Sequence, residues 1–377
     1  MNGRRSRLRQ GLRLAPALLA LAYAGALPRP AAAASCRIAG VPRVVAVGDV
    51  HGAYERFLGI LRSAGIVDDQ GTWTGGSAHL VQLGDVLDRG RDTRRALDLL
   101  MRLEQQAAKA GGRVHALLGN HEVMNLVGDL RYVNPEEYRD YVTSDSDANR
   151  ERFFRSVVAR ARAVARRQGA NLDEAAFRAD FLARTPPGFV ERTQAFSAEG
   201  VYGRWLRDHP AVVVIDGVVF VHGGLTAEVA ALGCEAINAA VHRELTSDLP
   251  GTLRSPSQTL VAGESGPLWF RGLASGDEAA LLPVVEKVLS SMRARAVVVG
   301  HTVDASGRIE ERFGGRVVTI DTGMTDVYGA HAAALEITRD GTLTAIYPTS
   351  RQPLLPPAAA ADKRAPALPL AAGEARE

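Results

Sequence analysis

Arg43-Val44-Val45-Ala46-Val47-Gly48-Asp49-Val50-His51-Gly52 is the stretch that decides how this chain folds. Its first five residues are rich in β-branched side chains, too short for a helix, and closed by a glycine and a polar residue. They predict a buried strand running into a tight turn. The same pattern returns three times along the chain. His79-Leu80-Val81-Gln82-Leu83 leads into Gly84-Asp85, Val114-His115-Ala116-Leu117-Leu118 into Gly119-Asn120, and Ala296-Val297-Val298-Val299 into Gly300-His301. Two more apolar runs between Val212 and Val221, broken at Asp216-Gly217, predict a hairpin.

Helical spacing fills the intervals. Tyr54 to Ile66 carries Phe57, Leu58 and Leu61, and Arg91 to Ala110 carries Leu97, Leu100, Met101 and Leu103, each set on one face. Strand alternating with helix predicts an α/β architecture layered on central sheet, with ligands at the carboxyl ends of the strands. Every glycine-plus-polar cluster falls at such an end. Residues 125–200 break the rhythm: they are charged and helix-prone, with an arginine- and alanine-rich stretch from Glu151 to Gln168. They predict an inserted helical subdomain whose arginines form a solvated face. Beyond Pro348, proline and alanine dominate, so residues 349–377 are expected to be a disordered tail.

The beginning of the chain has the composition of an export signal. Arg4, Arg5, Arg7, Arg9 and Arg13 precede an apolar stretch, Leu14 to Leu27, and Ala31 to Ser35 offer a small-residue cleavage site near Ala34. Residues 1–34 are therefore expected to be a signal peptide, leaving a periplasmic or secreted protein. Twin-arginine export and lipidation at Cys36 match less well, because the residues after Arg4-Arg5 and before Cys36 depart from those patterns. No other apolar run is long enough to span a membrane. Residues 1–34 hold six of the 45 basic residues and none of the 42 acidic ones, leaving 39 against 42. The basic balance thus belongs to the leader, and nucleic acid is not an expected partner. Cys36 and Cys234 leave two readings open, a disulfide or two free thiols, and neither supports cysteine-based catalysis.

The strand ends carry the chemistry. Two hard or borderline cations held close together need carboxylates, imidazoles and an amide oxygen, with one oxygen ligand shared. Asp49 and His51 place a carboxylate and an imidazole two residues apart. Asp85 supplies a second carboxylate and is followed by Asp88 and Arg89. Asn120 and His121 supply an amide and an imidazole, and His222 and His301 complete the set. A single Gly-Asp is usually just a turn; several such clusters in order, each after a strand, make a metal site the better reading. His79, His115, His209, His242 and His331 lack partner motifs and read as structural, and Asp321 in Ile320-Asp321-Thr322-Gly323 reads as a turn acid.

The series Gly-Asp-Val-His-Gly, Gly-Asp-Val-Leu-Asp-Arg-Gly and Gly-Asn-His-Glu, followed by His222 and His301, resembles the calcineurin-like metallophosphoesterase superfamily over residues 42–348, apart from the helical insertion. Asp88-Arg89-Gly90 resembles the phosphoprotein phosphatases in particular. The block Gly266-Pro267-Leu268-Trp269-Phe270-Arg271-Gly272, with the long insertion, is most similar to the Shewanella-like branch. The resemblance implies a central β-sandwich of mixed sheets flanked by helices and a centre of two divalent metal ions, manganese first, with iron, zinc or cobalt as alternatives. Asp49 and His51 would bind the first ion, Asp85 would bridge, and Asn120, His222 and His301 would bind the second. A water between the ions would attack phosphorus directly, Arg89 and Asn120 would bind phosphate oxygens, and His121, oriented by Asp88, would protonate the leaving group. Arg271 is a further phosphate-binding candidate.

The implied substrate is a phosphorylated protein or a small phosphoester. Residues 320–326 lack the Ser-Ala-Pro-Asn-Tyr-Cys loop of eukaryotic serine/threonine phosphatases, so that preference is not implied, and the Shewanella-like branch includes phosphotyrosine enzymes. Nucleotide hydrolases of the diadenosine-tetraphosphatase type share the metal motifs but typically lack the acid at Asp88. A phosphate-binding module without turnover would be expected to have lost Asp88, Arg89 or His121, and all are present.

Overall fold

Successive side chains of a strand point to opposite sides, and the valine-rich runs of this chain are apolar on both. The computed structural model describes residues 35–247 and 249–354. One sheet contains β1 (Arg37–Ile38), β5 (Val212–Ile215), β6 (Val218–Val221), β7 (Ala296–Val299), β9 (Val317–Thr319) and β8 (Glu310–Arg312), in that spatial order. The other contains β12 (Ser350–Pro353), β11 (Leu343–Tyr347), β10 (Ala334–Thr338), β2 (Arg43–Val47), β3 (His79–Gln82) and β4 (Arg113–Ala116).

The two sheets pack face to face. Val44 and Ala46 of β2 meet Phe220 of β6 and Val298 of β7 in one buried layer. Val45 and Val47, which alternate with them, turn outward onto α1 (Tyr54–Ser63) and α2 (Thr93–Lys109), against Phe57, Leu61, Leu97 and Leu100. Val219, Val221, Val297 and Val299 likewise face outward, onto Ile237 and Val285 of the later helices. The result is helix, sheet, sheet and helix in layers. This mixed α/β sandwich is the fold expected, and apolar burial on both strand faces is what makes it stable.

Within each sheet the site-bearing strands are parallel. β2, β3 and β4 run together, as do β6, β7 and β9, so their carboxyl ends open on the same side. The β5–β6 hairpin turns at Asp216 and Gly217, both with positive φ, the geometry that matches strand twist in a two-residue loop. Between β4 and β5 the chain forms α3 (Asn120–Leu126), a 3-10 turn (Pro135–Tyr141), α4 (Ser146–Arg167), α5 (Glu174–Arg184), α6 (Phe189–Ala195) and α7 (Val201–Arg207). α4 and α5 share a small core of Phe154, Val158 and Phe181, and exposed pairs such as Arg162–Glu174 and Arg178–Glu151 absorb some of the arginines.

Two expectations change and one open choice closes. The sheet begins at Arg37, ahead of residue 42, because β1 pairs in parallel with β5. Residues 350–353, expected in a disordered tail, form edge strand β12 on β11, where Pro353 is tolerated because an edge strand needs fewer N–H donors. Of the two cysteine readings the disulfide is the one present: Cys36 is bonded to Cys234, tying the start of the described chain to the helix Cys234–Leu245. Residues 1–34, where an export signal is expected, and residues 355–377 lie outside the described residues. No helix among the described residues is long and apolar enough to cross a membrane.

Candidate metal centre

Close approach of the strand-end loops concentrates the polar side chains. A Cβ on Gly84, whose φ is +95°, would lie 2.3 Å from the Gly119 nitrogen, and one on Gly300 would lie 2.5 Å from Asp49 Oδ1. Glycine is what lets loops from both sheets meet there. Among the described residues nine non-glycine residues have positive φ, and five of them are His51, Asp85, Asp88, Arg89 and His301. Backbone strain gathered at one place is a mark of a functional site.

Asp85 is the hub. Its Oδ1 accepts from the His121 N–H at 2.9 Å. Its Oδ2 faces three imidazole nitrogens, His222 Nε2 at 3.3 Å, His51 Nε2 at 3.6 Å and His121 Nε2 at 3.8 Å. Asp49 Oδ2 lies 3.9 Å from His51 Nε2, its Oδ1 accepts from the His301 N–H at 3.0 Å, and the His222 and His301 rings are 4.8 Å apart. All six residues expected to bind metal are buried and gathered around this point.

The tautomers show what the pocket lacks. His51 Nδ1 is 2.8 Å from the Leu87 carbonyl and His222 Nδ1 is 2.9 Å from the Leu83 carbonyl. A carbonyl only accepts, so both Nδ1 atoms carry a proton, and in the neutral imidazole, the form that binds metal, each Nε2 presents a lone pair. In that form His222 Nε2 meets the Asp85 carboxylate and, at 3.0 Å, Asn120 Oδ1, and offers them a lone pair where a cation would serve all three. His301 Nε2 and Asp321 Oδ2 are buried without a partner. Burial, with Asp321 and Asp85 close by, raises Asp49 well above the usual carboxylate range. Burial lowers His51 to about 4 and His301 to about 2, keeping both as neutral ligands. Crowded lone pairs and carboxylates without donors fit divalent cations, and the mixed nitrogen and oxygen set suits Mn, Fe, Zn or Co.

Around the hub lies a second set of fixed groups. His121 Nδ1 is 2.6 Å from Asp88 Oδ2. Burial opposes charge on His121, yet Asp85 and Asp88 outweigh it and raise the imidazole above its usual range. The Arg89 guanidinium lies 3.9 Å from the Tyr132 ring centroid and 5.8 Å from that of Tyr328, and its Nε is buried without a partner. Arg271 reaches the site only at its rim, where Nη1 donates to the His301 carbonyl at 2.6 Å and to Thr302 Oγ1 at 3.1 Å.

Sequence reading missed some of this. Glu122 closes the Gly-Asn-His-Glu motif, and nothing in the spacing gives it a role. Its Oε2 accepts from the Asp85 and Gly119 N–H groups at 2.7 and 2.8 Å, and its Oε1 from Val86 at 2.9 Å. It fixes the loop that carries Asp85. Asp321, expected to be a turn acid, is instead a buried carboxyl beside Asp49, and burial raises it to about 6. The histidines read as structural make contacts elsewhere: His115 with His79 at 3.0 Å, and His209 with Glu104 at 2.8 Å.

A family model of calcineurin-like phosphoesterases matches residues 42–305, so the chain belongs to the calcineurin-like phosphoesterase family and is a metal-dependent phosphatase. Its likeness extends to the Shewanella-like protein phosphatases. Shewanella-like protein phosphatase 2 of Arabidopsis thaliana is 32% identical over 293 residues, 75% of this chain and 71% of its own. An uncharacterized protein of Schizosaccharomyces pombe is 33% identical over 306 residues, 79% of this chain and 78% of its own. A solved cold-active protein-tyrosine phosphatase from a psychrophilic Shewanella matches with a TM-score of 0.64 at 26% identity, covering 85% of this chain and 83% of that one.

Proposed function

We propose that this phosphatase is a binuclear enzyme that hydrolyses phosphotyrosine in proteins or peptides. The observation that carries the binuclear reading is Asp85 Oδ2, faced at 3.3 and 3.6 Å by Nε2 of His222 and of His51, whose Nδ1 protons are already given to backbone carbonyls. Asp49 and His51 would hold one cation and Asn120, His222 and His301 the other, with Asp85 between. When bound, two such ions supply Lewis acidity and lower the pKa of a water they share. The chain's own side chains do the rest. Arg89, its guanidinium 3.9 Å from the Tyr132 ring centroid and its Nε unpaired, binds phosphate oxygens in the planar geometry that a guanidinium offers. His121 gives the proton on Nε2 to the departing oxygen while Asp88 holds Nδ1. Arg271 meets the phosphate from the rim.

Aromatic walls support an aryl substrate. Tyr132 and Tyr328 border the site, 5.2 Å from the His121 ring and 5.6 Å from the His51 ring respectively, and both are half-buried. A phenyl ring leaving from a phosphate held by Arg89 would be met by them. The solved Shewanella relative is a protein-tyrosine phosphatase, in keeping with this reading. The place of action we propose is outside the cytoplasm: residues 1–34 supply the signal, and the Cys36–Cys234 bond suits an oxidising compartment.

Purified protein given manganese is expected to hydrolyse para-nitrophenyl phosphate, to fall to background in chelator, and to recover when manganese is restored. Full turnover in chelator would end the metal reading. For the substrate class, Tyr328→Ala is expected to lower kcat/KM for a phosphotyrosine peptide by about threefold to tenfold, the worth of one aromatic pair. The same change should leave a phosphoserine peptide of matched sequence within about twofold. Equal losses on both peptides would remove the case for phosphotyrosine.

A further inference from the structure

The helical segment between β4 and β5 sends one buried charge toward the centre. Arg192 of α6 and Glu137 of the 3-10 turn are 1% and 0% exposed, and Arg192 Nε donates to Glu137 Oε1 at 2.7 Å. A buried ion pair of this kind adds little net stability compared with apolar side chains of the same size. Its connections suggest another use. Arg192 Nη2 donates to Asn125 Oδ1 at 2.8 Å. Asn125 Nδ2 in turn donates to Asp88 Oδ1 at 3.0 Å and to the His121 carbonyl at 2.9 Å. Asp88 Oδ2 holds His121 Nδ1 at 2.6 Å.

Every link in this chain has a fixed direction. A guanidinium only donates and a carboxylate only accepts, so the amide of Asn125 has one orientation that satisfies both neighbours. Arg192 anchors the oxygen end of that amide, so Nδ2 is held against both Asp88 Oδ1 and the His121 carbonyl; without it the amide keeps its orientation but loses the anchor that fixes its position. Asp88 is itself strained, at φ +69°, and 0% exposed, so a lost donor cannot be replaced by bulk water.

We propose that Asn125 and Arg192 are positioning residues for proton transfer: through Asp88 they hold His121 so that Nε2 faces the departing oxygen. This rests on the reading of His121 as the proton donor. The helical segment thereby takes part in the chemistry without touching substrate.

The test uses the metal-loaded enzyme and a series of aryl phosphates whose leaving groups run from para-nitrophenol to phenol. Asn125→Leu keeps the side-chain bulk and removes the hydrogen bonds. The double variant Glu137→Leu/Arg192→Met removes both buried charges together, so no unpaired charge is left behind. Each is expected to lose kcat by about threefold on para-nitrophenyl phosphate and about 30-fold on phenyl phosphate, a fraction of what a general acid supplies. KM and metal content should stay unchanged, and Arg192→Lys should recover part of the loss. Phe181→Ala, in the separate core of α4 and α5, is the control: it should lower the melting temperature and leave the leaving-group dependence as in the wild type. Uniform loss across the series, or loss that follows melting temperature as in the control, would overturn the positioning role. If His121→Ala itself fails to steepen the dependence, the proton-donor reading falls. If His121→Ala steepens it and Asn125→Leu does not, only the present inference falls.

Discussion

Asp85→Asn is expected to lower kcat/KM by about 10³-fold or more, at least the cost of removing a single transition-state donor elsewhere, and to reduce bound metal from two ions per chain to one or none. The change is small in volume and large in charge. One oxygen of this carboxylate faces three imidazole nitrogens and the other accepts a backbone N–H. An amide can keep the backbone contact through its oxygen, but then turns an NH₂ toward the imidazoles. No anionic oxygen remains to be shared between cations. Circular dichroism should be unchanged, because Glu122, not Asp85, carries the hydrogen bonds that fix the loop. Metal analysis and turnover measured on the same sample decide the matter: two ions per chain with full activity would sink the shared-ligand reading.

How much of this was legible in the sequence depended on the range of the interactions. The strands announced themselves because β-branched runs of four or five residues closed by glycine are local signals, and β2, β3 and β7 lie where those runs do. The six candidate ligands were legible for the same reason, each sitting at the end of such a run. Asp321 was not. Its own neighbourhood, Ile320-Asp321-Thr322-Gly323, has turn composition, and its burial beside Asp49 comes from another strand end: a Cβ on Gly48 would lie 2.5 Å from the Ile320 carbonyl. The Arg192–Asn125 bond spans 67 positions and the Cys36–Cys234 bond 198, and no periodicity reports either. Strand β12 hid behind a Ser-Arg-Gln-Pro composition that only pairing with β11 makes into a strand. What composition and spacing missed was decided by tertiary contact.

His121→Ala should cost about 10²- to 10⁴-fold in kcat on phenyl phosphate, the usual range for a lost general acid, and much less on para-nitrophenyl phosphate. The asymmetry follows from the leaving group. Nitrophenolate departs readily as an anion, whereas phenoxide and a serine alkoxide need the proton that His121 Nε2 supplies. Asp88→Asn is expected to shift activity in the same direction by about 10²-fold. It removes the negative charge 2.6 Å from Nδ1 that supports the imidazolium, and an asparagine can also turn its own N–H toward that nitrogen. If the two residues act as one unit, their losses will not add: His121→Ala/Asp88→Asn should be about as slow as His121→Ala alone. Additive losses in the double variant would mean that Asp88 serves the reaction by some route other than His121, such as the backbone turn that presents Arg89. The cycle therefore separates an acid held by its carboxylate from a strained loop that happens to lie beside it.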